Sequence, residues 1–223
     1  MAECKWCGRS GWFLRLSPGG LCTNCLPLVN MDARQRGRII NDSMKILNAS
    51  KNLETRLSRL DLLVEHARAL VRYEERGISV IDPPPSAVIG RFGGARDEII
   101  LECLRGDVDS ATSRAAVALT TQAKVNALSK VLLKVREYRS RADNPEPLGA
   151  LEKKVSDCIH KTQLEAHLDS ARKAEFKGQK KRALDEYYEA LYLLKHDEID
   201  DSLQKDQIGR IESKIAELGG SVG

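Results

Sequence analysis

Four cysteines fall within the first 25 residues, as Cys4-Lys5-Trp6-Cys7, then fourteen residues, then Cys22-Thr23-Asn24-Cys25. Two Cys-x2-Cys pairs at this separation can place four thiolates around one cation, each about 2.3 Å away in a tetrahedron. Four sulfur ligands leave no position for water or substrate. The spacing therefore predicts one structural Zn2+ held by Cys4, Cys7, Cys22 and Cys25. Gly8 follows the first pair, where such a knuckle needs a permissive backbone. Between the pairs, Trp12-Phe13-Leu14-Arg15-Leu16 reads as a strand and Ser17-Pro18-Gly19-Gly20 as a turn closing a hairpin. Two disulfides in a secreted module would be the competing reading. Against it, Met1-Ala2-Glu3 opens no signal peptide, and Cys103 and Cys158 are isolated inside helical patterns as core thiols. Free thiols and a thiolate metal site imply a reducing compartment, so a cytoplasmic location is expected.

The rest of the chain reads as mainly α. Charged residues make up 30% of it and aromatics only 4%, a balance that favours long helices over a sandwich or barrel. No apolar run reaches the roughly 18–20 residues that span a bilayer, so no membrane association is expected. Charge is uneven. Residues 1–143 hold 23 Lys/Arg against 16 Asp/Glu, and residues 144–223 hold 13 against 16, so the tail is the acidic part.

Three regions follow from the pattern. Residues 1–30 form the finger. Its second cysteine pair runs into Leu26-Pro27-Leu28-Val29, with proline suited to a first helical turn. In residues 31–143, Ile39, Ile46, Leu53, Leu60 and Ala67 recur every seven positions, interleaved with Ser43, Ser50, Leu57, Val64 and Val71. That is a coiled-coil seam, with a break around 48–52 as the alternative to one continuous helix. Leu101, Leu104, Val108, Ala111, Ala115, Ala118, Val125, Leu128, Leu132 and Val135 repeat the spacing. Between the seams, residues 78–94 carry Pro83-Pro84-Pro85 and Gly90-Arg91-Phe92-Gly93-Gly94 and read as a non-helical loop. Residues 31–76 and 95–142 have equal length, which predicts a long antiparallel coiled-coil hairpin of one against the other. The same seams also allow self-association. Residues 144–223 open on Asn144-Pro145 and contain two helical faces. A last helix starts at a capping-box-like Asp201-Ser202-Leu203-Gln204 and stops at Gly219-Gly220.

Cysteine pairs framing a hairpin, the second feeding a helix, resemble treble-clef and zinc-ribbon modules. Residues 168–196 resemble a single tetratricopeptide repeat: Gly178 stands at the turn, followed by Ala183, Tyr187 and Ala190. The resemblance implies that this unit packs against residues 145–165 and against the final helix as a cap.

Catalytic readings find little support. His66, His160, His167 and His196 are scattered, there is no phosphate loop, and paired carboxylates such as Glu74-Glu75 read as helix ends. No enzyme is expected. The favoured function is a zinc-stabilised adaptor or scaffold for protein–protein interaction, contacting partners through Trp6 or Trp12 on the finger, or Tyr188 and Tyr192 on the tail. A second reading is nucleic-acid binding through Arg9 and Arg15 of the finger and Arg34 and Arg38 of the helix behind it. A third is a regulatory subunit of an enzyme complex.

Overall fold

The computed structural model describes residues 2–196 and 201–221, apart from the side chains of Asp201 and Leu203. Among these residues the chain forms a two-stranded sheet and eight helices. The chain divides into two compact units, Met1–Cys103 and Leu104–Gly223.

In the first unit, strand β1 (Ala2–Glu3) pairs antiparallel with β2 (Ser10–Gly11). Helix α1 (Cys25–Ala49) begins on the fourth cysteine and α2 (Leu53–Glu74) follows. The break between them has a local cause. Ser50 is extended, and the Asn52 side chain accepts the Thr55 N–H at 2.9 Å, capping a new helix. The chain then reverses and α2 lies antiparallel against α1. Val29, Ala33, Ile40 and Leu47 of α1 are buried, as are Leu57, Leu60, Leu63, Val64, Ala67 and Leu70 of α2.

This corrects the expected pairing of residues 31–76 with 95–142. Each stretch is two helices, and the main partner of residues 25–49 is their own sequel. A heptad stripe specifies a face and names no partner, and a three-residue turn closes the nearer pair with less loop entropy than a distant one. Part of the expected contact remains. The first turns of α4 (Arg96–Val117) run antiparallel to α2, tied by Arg96 to Asp61 at 3.0 Å and Arg56 to Glu102 at 2.8 Å. The loop expected over 78–94 also holds a helix, α3 (Pro85–Phe92), with Pro85 at its first turn. Its Ser86 N–H donates to Glu74 at 2.8 Å, and Pro85 and Val88 are buried.

Ser43 lies fully buried in α1, and its hydroxyl has no partner among the described residues. A desolvated, unsatisfied hydroxyl is destabilising. Ser43→Ala is expected to raise stability by about 1 kcal/mol, seen as a higher urea midpoint with an unchanged slope.

In the second unit the second stretch breaks at residues 118–120, where Thr120 caps α5 (Thr121–Arg139) by accepting the Ala123 N–H at 3.2 Å. Helix α6 (Glu146–Phe176) packs on α5, and Glu152 accepts from Arg136 at 2.7 Å and Arg139 at 2.9 Å. Helix α7 (Lys180–Lys195) folds back along α6, and α8 (Asp201–Glu217) packs on α7. Gly178 occupies the α6–α7 turn at φ +69°, a conformation that disfavours any side chain. Fully buried Ala171, Ala183 and Ala190 let the helices approach. Tyr187 fills the space beside them, within a core that includes Leu164, Leu194, Ile208, Ile211 and Ile215. The helix–turn–helix expected for 168–196 therefore forms, with its first helix continuous back to Glu146. The capping role expected of Asp201 lies outside the described residues. Among the described residues, no helix is long and apolar enough to cross a membrane.

Candidate metal centre

The four predicted cysteines converge. Their sulfur atoms all lie within 4.8 Å of one another, and Cys4, Cys22 and Cys25 are buried. The Cys7 and Cys22 sulfurs stand 3.9 Å apart. A tetrahedron with metal–sulfur bonds of about 2.3 Å has edges of about 3.8 Å, so this separation suits two ligands of one ion. A disulfide would need about 2.05 Å, and all four cysteines are free.

The backbone shapes the site as a pair of knuckles. After Cys4 the chain turns so that the Gly8 N–H donates to the Cys4 carbonyl at 2.9 Å, with Gly8 at φ +69°. After Cys22, the Cys25 and Leu26 N–H groups donate to the Cys22 carbonyl at 3.1 and 2.9 Å, so the second knuckle becomes the first turn of α1. The Cys22 N–H donates to the Cys4 sulfur at 3.3 Å and joins the two knuckles.

The electrostatics call for a cation. Hydrogen bonding from the Cys7 backbone, outweighing burial, pushes the Cys4 thiol down to about 6. The Cys25 backbone likewise lowers Cys22. Burial and the three neighbouring sulfurs push Cys25 up to about 12. The Cys4 thiolate forms readily, Cys22 is shifted in the same direction, and Cys25 resists ionisation beside its neighbours until positive charge is added. The donor set fits a soft, four-coordinate metal ion.

Part of the finger is folded differently from expectation. Residues 12–16 are not a strand. Trp12 and Phe13 occupy a turn after β2, with the Leu14 N–H 3.4 Å from the Gly11 carbonyl, and a single bridge joins Leu16 to Cys22. The closing turn at Ser17–Gly20 forms as expected, the Gly20 N–H donating to Ser17 at 2.8 Å. The tight turn drives both rings outward: Trp12 is 87% exposed and Phe13 99%.

Trp6 has the opposite fate. It lies against Tyr73 of α2, ring centroids 4.7 Å apart, with the Arg76 guanidinium 4.3 Å from the indole centroid. Arg76 also donates to the Trp6 carbonyl at 2.6 Å, and Lys5 to the Gly77 carbonyl at 2.8 Å. The first knuckle is thereby seated on the C-terminal end of α2. Sequence spacing had no means of showing this contact, which spans about seventy residues.

Asp32 of α1 braces the seat. It accepts from Arg36 and Arg72 at 2.8 Å each and from the Tyr73 hydroxyl at 2.9 Å. Burial opposes its ionisation, but these three donors outweigh it and hold the carboxyl below its usual range. A carboxylate lowered by folding stabilises the native state above its unfolded value, near 4, and loses that contribution as pH falls through the lowered value. The melting temperature should therefore drop on acidification below about pH 4, and Asp32→Asn should flatten that drop.

Of the other expected contact residues, the Tyr188 hydroxyl bonds the Ser221 backbone on both sides, at 3.0 and 3.1 Å. Tyr192 is exposed and stacks on His196 at 4.0 Å. Neither lines the tail's groove beside α8, whose walls include Leu168, Arg172, Tyr187, Arg210 and Ile211. Arg9, Arg15, Arg34 and Arg38 are exposed, and their guanidinium groups have no partner among the described residues. Arg34 and Arg38 line one open face of α1 with Pro27, Met31 and Ile39.

Searches against protein families, curated proteins and solved structures returned no match. The functional reading therefore rests on the chain's own chemistry.

Proposed function

We propose that this chain is a zinc-stabilised helical adaptor with no catalytic role, whose metal centre holds a small finger on a helical hairpin for presentation to a protein partner. The observation that carries the reading is the seat of Trp6 on Tyr73 and Arg76, next to the four-thiolate cluster. Zinc is the ion proposed, because a closed set of four sulfurs is its usual structural environment and leaves no open position for chemistry. The residues of the finger are too few to form a core of their own. The ion would supply the folding free energy, and Trp6 would transmit that order to α2.

The tail supports the same reading. It pairs antiparallel helices through small residues and leaves a groove beside α8 where Arg172 and Arg210 flank Leu168 and Ile211. Surfaces of this kind bind other chains and do no chemistry. The seams counted for self-association are largely spent within the chain, α1 on α2 and α5 on α6. A partner of different sequence is therefore favoured over a second copy, and the cytoplasm remains the proposed compartment. The test is an affinity capture with wild-type protein and a Cys22→Ser form, each with and without nuclease. A protein partner that survives nuclease and is lost with Cys22→Ser supports the adaptor reading. Capture abolished by nuclease counts against it.

A further inference from the structure

The outward surface of the finger offers a combination that the seat on α2 does not use. Trp12 and Phe13, adjacent and almost wholly in water, are two of the five Trp and Phe residues in the chain. Holding two rings at a tight turn in solvent is costly unless something covers them. The neighbouring aliphatic side chains, Leu14 and Leu16, are partly folded inward, so the apolar surface offered here is made of ring faces. Arg9 and Arg15 flank the two rings in sequence, exposed and with no side-chain partner among the described residues. Between Glu3 and Asp32 the sequence contains no carboxylate at all. The other cation and indole of this stretch, Lys5 and Trp6, are already committed to α2.

We propose that this surface binds single-stranded nucleic acid, with Trp12 and Phe13 stacking on successive unpaired bases and Arg9 and Arg15 contacting the phosphates between them. Flat π faces beside cations match an unpaired strand, whose bases are exposed for stacking, and Glu3, which lies opposite Ser10, is outnumbered by Arg9 and Arg15. A duplex hides those faces, and an aliphatic protein ridge would find few aliphatic groups here to pack against. The buried metal–thiolate unit with Zn2+ would carry two negative charges, so attraction comes from the two rim arginines and not from the finger's net charge. Binding should therefore depend on salt only shallowly. Both readings use the finger, and binding measured with purified protein and oligonucleotide tests this site without reference to the protein partner.

The test is fluorescence anisotropy with the zinc-loaded full chain and three labelled probes: oligouridylate, oligodeoxythymidylate and a duplex of equal length. Both single strands should bind and the duplex should bind much more weakly. Trp12→Ala/Phe13→Ala should weaken single-strand binding at least about tenfold while zinc content stays at wild type, and Trp12→Tyr, which keeps a ring, should retain most of the affinity. Arg9→Ala/Arg15→Ala should reduce the slope of log affinity against log salt by about 1.4. Absence of binding at low salt overturns the proposal, as does equal affinity for the duplex. Wild-type affinity in Trp12→Ala/Phe13→Ala overturns it too. So does loss of binding to anionic phospholipid vesicles by that variant when no oligonucleotide binds the wild type.

Discussion

A Cys22→Ser protein is expected to purify without zinc, and the wild type to carry one ion per chain. Cys22 has three tasks in the knuckles. Its thiolate faces Cys7 at 3.9 Å, its N–H donates to the Cys4 sulfur, and its carbonyl receives the first N–H groups of α1. A hydroxyl preserves the last two and removes a soft ligand. If four thiolates share the roughly 10–16 kcal/mol typical of structural zinc sites, losing one costs about 3 kcal/mol, or more than a hundredfold in affinity. Apart from the seat of its first knuckle on α2, the finger has little else to order it: a two-residue strand pair, a single bridge and a few turns. Residues 2–24 should become sensitive to protease while most of the helical circular dichroism persists, because the hydrophobic contact of α1 with α2 does not pass through the metal. Metal analysis and limited proteolysis report the two effects separately, and full zinc occupancy in Cys22→Ser would contradict the ligand assignment.

Trp6→Ala should do the reverse, keeping the metal and loosening the seat. The indole packs against Tyr73 at a tilt of 42° and carries the Arg76 guanidinium over its ring. Truncation removes a large, half-buried aromatic contact and a cation–π pair, for a loss of about 2–3 kcal/mol in the stability of the first unit. The hydrogen bond from the Arg76 guanidinium to the Trp6 carbonyl survives, so the loss stays short of that for a fully buried tryptophan. Denaturant unfolding followed by far-ultraviolet circular dichroism measures it. Zinc content should be unchanged, and an unaltered midpoint would mean that finger and hairpin are independent.

The residues differ in how plainly they announced these features. Cysteine spacing is local, and a knuckle needs only its own few residues, so the convergence of all four cysteines was legible. Helical periodicity was equally plain, and Leu53, Leu57, Leu60, Val64 and Ala67 are buried as the α2 seam required. In α1 the buried stripe is Ile40, Ser43 and Leu47, with Ile39 and Ile46 only partly covered. The Asn52 cap resets the helical phase, so one seam drawn through both helices drifts by a residue. Partner choice was not legible, because a heptad face fits any complementary face and the winner is set by turn chemistry at 50–52 and 118–120. The helix at Pro85–Phe92 was hidden by composition. Prolines suggested an extended loop, yet the third of them sits at a first helical turn, where its missing N–H costs nothing. Trp6 and Trp12 were alike on paper as contact residues of the finger, with Phe13 beside the second. Only the turn at Gly11–Phe13 and the distant Tyr73 separate the one that packs from the two that face water.

The central claim is a closed thiolate cage around one zinc ion. X-ray absorption at the zinc edge of the purified wild-type protein tests it most directly. Four sulfur scatterers at about 2.3 Å, with no nitrogen or oxygen in the first shell, are the expected result. A shell containing oxygen or nitrogen, or a protein that carries no zinc when prepared without chelator, would contradict it.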